Sequence, residues 1–109
     1  MRYATPLAVL TLAWSCIVGT VAAHAATVKV EAEDMSFSPA RLAIRRGDVV
    51  RFSNNRYGAH LIRSRTSGQS FSLGRQESGE ERERAFTQPG EVAVSCDFHP
   101  HMTLVIRVE

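Results

Sequence analysis

Two stretches of alternating apolar residues meet at a short run of metal-binding side chains, and that junction constrains the chain more than any other feature. Val92, Val94 and Cys96 recur at every second position, as do Leu104, Ile106 and Val108. Between them lies Cys96-Asp97-Phe98-His99-Pro100-His101-Met102. A period of two marks strands that bury one face, so the run must be a tight connection between two such strands. Within it a thiol, an imidazole and a thioether follow at three-residue steps, at Cys96, His99 and Met102. A set of two imidazoles and a thiolate with a weak axial thioether is acceptable to both oxidation states of copper, so little rearranges when an electron arrives or leaves. His60, upstream, is the expected second imidazole.

The remaining strand signals predict the architecture. Val28, Val30 and Ala32 alternate with Lys29, Glu31 and Glu33, giving one apolar and one charged face. Leu42 and Ile44 follow Pro39, and Arg46-Gly47-Asp48 then leads into Val49-Val50-Arg51-Phe52, which reads as two strands joined tightly. Further segments fall at His60–Arg65, Ser70–Leu73 and Arg82–Thr87. Pro89-Gly90 is a turn signal, because proline presets the first central residue of a type II turn and glycine accepts the positive φ of the second. The stretch 66–83 gives the weakest signal, being polar and glycine-bearing and running into Glu80-Glu81-Arg82-Glu83-Arg84. No segment has sustained helical periodicity. Seven or so short strands punctuated by Gly and Pro predict an all-β fold, a Greek-key antiparallel β-sandwich without repeats or a second domain.

The N-terminus has the layout of a secretory signal peptide: Arg2, an apolar stretch from Leu7 to Val21, then Ala23-His24-Ala25-Ala26. A cut near Ala25 or Ala26 assigns 1–26 to the signal peptide and 27–109 to the mature domain. The expected location is the periplasm, with no membrane insertion after cleavage. Cys16 leaves with the peptide, so Cys96 is the single thiol in a compartment that favours disulfides. Metal ligation accounts for its retention, since a ligated, buried thiolate is shielded from oxidation and exchange. The net charge of +2 falls by one when Arg2 is removed, and nucleic acid is not a favoured partner.

On these residues the chain resembles the cupredoxin family of small blue copper proteins, in particular its amicyanin- and plastocyanin-like members. Phe37-Ser38-Pro39 followed by Gly47-Asp48 is similar to the family's opening. Phe52-Ser53-Asn54 followed by His60 is similar to its first-ligand segment, and the C-x2-H-x2-M spacing matches its shortest ligand loops. The resemblance implies one type 1 copper per chain, held by His60, Cys96, His99 and Met102 in a cupredoxin-like sandwich. It further implies a monomer, not an enzyme, that carries single electrons between redox proteins. A quinone-cofactor dehydrogenase as donor and a c-type cytochrome as acceptor come from the same resemblance. The chain departs from the family at Leu61 and Asp97, where Asn after the first His usually bonds to Ser or Thr after the Cys, and at Ser95, where an aromatic residue is common. Bonds from outer groups orient ligands, so these departures bear on site geometry and potential more than on copper binding. Asp97 is expected to accept backbone N–H bonds within the loop instead.

Around the ligands, His101 is expected to face solvent. Pro100 stiffens the loop and offers no N–H, and with Phe98 it gives the rim of His99 an apolar character suited to docking a redox partner. Arg56, Arg63 and Arg65 flank His60; as ordinary surface charge they do nothing, whereas ringing the copper end they would favour an acidic partner and salt-sensitive association. Three other readings use the same residues. Copper trafficking or storage needs the same four ligands. Structural zinc would take Cys96, His99, His60 and His101 but has little use for Met102. A Cys–His hydrolase would need an open cleft at Cys96 that nothing in the sequence indicates.

Overall fold

Strand alternation translates directly into burial in the computed structural model, which describes residues 25–109. The segment through His24 that the sequence reading assigns to a signal peptide, with Cys16, lies outside the described residues. In chain order the strands are β1 (Thr27–Ala32), β2 (Phe37–Ser38), β3 (Arg41–Ile44), β4 (Val49–Asn54), β5 (His60–Ser64), β6 (Phe71–Gln76), β7 (Glu81–Ala85), β8 (Gly90–Cys96) and β9 (His99–Val108). Val30 and Ala32 in β1, Val92 and Val94 in β8, and Leu104, Ile106 and Val108 in β9 are all buried, as their spacing requires. Gly90 has φ +129°, the positive φ that the Pro89-Gly90 pair demands.

Strands β2-β1-β4-β7 form one sheet and β3-β9-β8-β5-β6 the other. Their inner faces share one apolar interior, in which the rings of Phe37 and Phe52 meet edge to face at 6.5 Å. The all-β sandwich is as expected, but two neighbouring pairs run parallel, β1 with β4 and β3 with β9. The turn after β3 explains this. It is tight, with Asp48 N–H donating to Arg45 C=O at 3.0 Å, yet β3 and β4 do not pair with each other. Ile44 and Val50 are both buried, each entering the interior from its own sheet, so the chain must cross between layers at this corner. Asp48 fastens the corner by accepting N–H bonds from Arg45 (2.9 Å) and Ala26 (3.0 Å), and these bonds hold its carboxyl below the usual range.

The weakly signalled stretch 66–83 supplies β6 and most of β7. Glu81–Arg84 of the charged run lie on the outer strand of the four-stranded sheet, where Arg51 pairs with Glu83 at 2.7 Å. Such charges blunt an open sheet edge.

What positions the site is the phase of three strands. His60 stands two residues before the buried Ile62, Cys96 two after Val94, and Met102 two before Leu104. Each is the terminal member of an inward-facing row, and the rows end at one pole of the sandwich.

Candidate metal centre

At that pole Cys96 Sγ lies 3.7 Å from His60 Nδ1 and 3.8 Å from His99 Nδ1. The three donor atoms all fall within 4.8 Å of one another, and the imidazole centroids are 5.3 Å apart. Bonds of about 2.3 Å to sulfur and 2.0 Å to nitrogen, spread at ~120° around one ion, place S and N about 3.7 Å apart. The donors therefore stand at ligand spacing. Cys96 is a free thiol, so its sulfur is available for coordination. One thiolate and two imidazoles are the soft and borderline donors that suit copper. His101 is exposed and stays outside the group, so it does not join the other three as the fourth ligand of a zinc site.

Local structure accounts for each position. Asp97 and Phe98 form a two-residue turn, and Cys96 and His99 are cross-strand partners on either side of it. The expected ligand loop is thus a β-hairpin. The register then shifts between Ser95 and Cys96, leaving Pro100, His101 and Met102 without partners on β8. This bulge lets His99 lean towards the sulfur while Met102, three residues on, returns to the interior with no exposed surface. Leu61 N–H donates to Cys96 Sγ at 3.4 Å. Although Leu61 lacks the side chain the family pattern would place there, its backbone reaches the sulfur.

Two buried amide side chains hold the segment leading to His60: Asn54, already part of the first-ligand segment in the sequence, and Gln76, which the sequence reading passed over. Asn54 Nδ2 donates to Gly58 C=O (2.9 Å) and Gln76 C=O (3.2 Å), and Gln76 Nε2 donates to Phe52 C=O (2.9 Å) and Glu80 C=O (2.7 Å). Asn54 ends β4, and Gln76 stands opposite His60 in the β5–β6 ladder, a pairing that only the fold reveals.

Asp97 does not accept loop amides. Its carboxylate binds Arg63 Nη1 at 2.9 Å and Arg65 Nη2 at 3.3 Å, both from the neighbouring strand segment. A carboxylate prefers two guanidinium partners to neutral amides because both of its oxygens then make charge-assisted bonds. The Arg63 bond, followed by the charges of Arg63 and Arg65, holds the Asp97 carboxyl below the usual range.

His60 and Cys96 are almost wholly buried, whereas His99 is half-buried. The apolar rim expected at Phe98 and Pro100 is present, with Phe98 44% exposed. Two further large apolar side chains not singled out from the sequence are exposed, Met35 in the turn after β1 and Tyr57 in the loop before β5, at 64% and 98%. Burial, then the neighbouring His99, push the His60 imidazole below its ordinary value of 6.5. A histidine kept neutral by the fold binds fewer protons than in the unfolded chain, so stability is complete above about 6.5 and declines as pH falls below it. Chemical denaturation of the metal-free protein is expected to show that decline as pH falls below about 6.5, and His60→Gln is expected to flatten it.

Comparison with known proteins extends these findings. A family model described as copper-binding proteins of the plastocyanin/azurin family matches residues 24–109. Among solved structures, a Cu-containing nitrite reductase from Thermus scotoductus SA-01 is 30% identical, with a TM-score of 0.71 over 76% of this chain. This chain covers only 22% of that enzyme. The reduced state of an amicyanin mutant is 21% identical with a TM-score of 0.71, covering 76% of this chain and 82% of its own. The Cu(I) form of another amicyanin mutant is 19% identical with a TM-score of 0.71, over 79% and 85% respectively. Among curated protein sequences there is no match. At such identities the amicyanin likeness speaks for the fold, whereas the family match takes in every described strand together with His60, Cys96 and His99. By that match the chain belongs to the plastocyanin/azurin family of copper-binding proteins.

Proposed function

We propose that the protein is a periplasmic one-electron carrier in which His60, Cys96, His99 and Met102 would hold copper, the Met102 thioether being the weakest of the four donors. One observation carries this reading: the three donors stand at ligand spacing on the ends of rigid, inward-facing strand rows. Copper, when bound, supplies the reversible one-electron step. The chain holds the donors so that neither oxidation state demands rearrangement, and burial of His60 and Cys96 keeps water from the sulfur. His99, half-buried, is the route to the surface, and its exposed neighbours Phe98 and Pro100 offer a partner an apolar face beside it. Cys96 is 2% exposed, which leaves it no access to a substrate and supports a carrier over an enzyme.

The arginines near this pole are engaged by carboxylates. Arg63 and Arg65 meet Asp97, Arg75 meets Glu77, and Arg56 lies 4.0 Å from Glu33. Their fields are largely cancelled locally, which favours apolar docking over steering by an acidic partner. Electron-exchange rates with a redox partner are expected to change less than about twofold between low and physiological ionic strength, measured by stopped-flow. The signal peptide belongs to the same proposal. A cut after Ala25 would keep the bonds of Ala26, whose C=O accepts from Val49 N–H at 2.9 Å and whose N–H reaches Asp48; mass spectrometry of the exported protein locates the cut.

The deciding experiment adds Cu(II) to the purified protein and follows voltammetry over repeated cycles. Reversible one-electron waves with the metal retained support the carrier. Ready passage of Cu(I) to a competing chelator or acceptor protein would instead support trafficking or storage.

A further inference from the structure

The ladder that joins the strand of His60 to the strand of Cys96 is short. Its pairs are Ile62–Cys96, Arg63–Ser95 and Ser64–Val94, and one further bond, from Asp97 N–H to Leu61 C=O at 3.0 Å, carries it to the edge of the site. Both strands are interrupted at the same height. β5 shifts register against β6 between Leu61 and Arg63, and β8 shifts against β9 between Ser95 and Cys96. A strand end beside two interruptions has few backbone bonds to hold it and opens easily.

At this weak point the turn residue Asp97 is gripped from the side. Arg63 binds one carboxylate oxygen and Arg65 the other, at 2.9 and 3.3 Å. The side chains of Asp97 and Arg63 are only 28% and 32% exposed, so the contact is less screened than an open surface pair. The grip spans the two strands whose separation matters, for Asp97 follows Cys96 directly and Arg63 lies three residues after His60. On the next turn residue, Arg75 of β6 stands over the Phe98 ring at 5.6 Å.

We propose that Asp97, clamped by Arg63 and Arg65, is a positioning residue that locks the end of β8 onto β5 and so fixes the Cys96 sulfur relative to the His60 imidazole. The proposal rests on the copper reading for its purpose, because a fixed donor spacing is what spares the site from rearranging. Its mechanical content is independent of metal. Removing either charge should loosen the same joint, whereas a purely electrostatic influence on the ion would have opposite signs for Asp97 and Arg63.

The test compares Asp97→Asn, Arg63→Gln and the double variant by amide hydrogen exchange without metal and by electron paramagnetic resonance with Cu(II). In each metal-free variant the amides of Leu61 and Asp97 are expected to exchange about fivefold faster, with those of Phe52 and Ile106 unchanged. In the copper forms both single variants are expected to shift the copper hyperfine splitting in the same direction, and the double variant no further than either. Unchanged exchange at Leu61 and Asp97, or hyperfine shifts of opposite sign that sum in the double variant, would overturn the proposal. A wild-type protein that showed no thiolate-to-copper absorption would refute the copper reading instead, and the exchange measurements would still judge the clamp.

Discussion

Cys96→Ser is expected to erase the intense visible absorption of the copper-loaded protein and to weaken copper binding by more than roughly 100-fold. The estimate is a lower bound, since losing a group that merely orients a ligand already costs about 10–100-fold in metal affinity. The absorption depends on charge moving from sulfur to metal, and a serine hydroxyl has no comparable donor orbital. Cys96 sits at the end of a buried row with its sulfur 3.7 and 3.8 Å from the two imidazole nitrogens, so no other thiol among the described residues can take its place. Competition titration and visible spectroscopy measure both effects, and far-ultraviolet circular dichroism should be unchanged, because oxygen for sulfur is a small change of volume. A serine variant that kept the colour would remove Cys96 from the site.

Phe52→Ala is expected to lower the stability of the metal-free protein by about 3–5 kcal/mol, read from the urea midpoint. Phe52 has no exposed surface and packs edge-on against Phe37 within the sandwich interior. Its backbone carbonyl also accepts the Gln76 side chain, and Gln76 stands opposite His60 in the ladder, so any backbone shift into the cavity is passed towards the candidate site. Domains of this size are stable by about 5–15 kcal/mol in all, which leaves the variant marginal. Copper bound only by the folded form should then recover much of the lost midpoint. A midpoint within experimental error of wild type would show that Phe52 is not the keystone its burial suggests.

Much of this was legible in the sequence because it rests on local regularities. Cys96 and His99 are set by spacing within one run, and the alternation on either side dictates that the run joins two strands. His60 was legible through the segment before it. Contacts made across the sheets were not. Asp97 follows a ligand, which suggested a role inside the loop, yet its partners come from Arg63 and Arg65, whose proximity depends on which strand lies beside β8. Likewise Leu42–Ile44 and Val49–Phe52 are joined as tightly as they read, but a short turn says nothing about whether the chain folds back beside itself or passes to the facing layer. Tyr57 and Met35 carried no periodic signal, because loop exposure follows from where the loops end up.

The placement of the donors at the ends of inward rows makes metal uptake a proofreader of strand alignment. Were β5 to slip by a single residue against β8, His60 would swing outward and Leu61 would take its place indoors, and the slipped chain would have no second imidazole to offer. Colour in a freshly folded sample thus counts the molecules whose sheets are correctly threaded, not merely those that have collapsed.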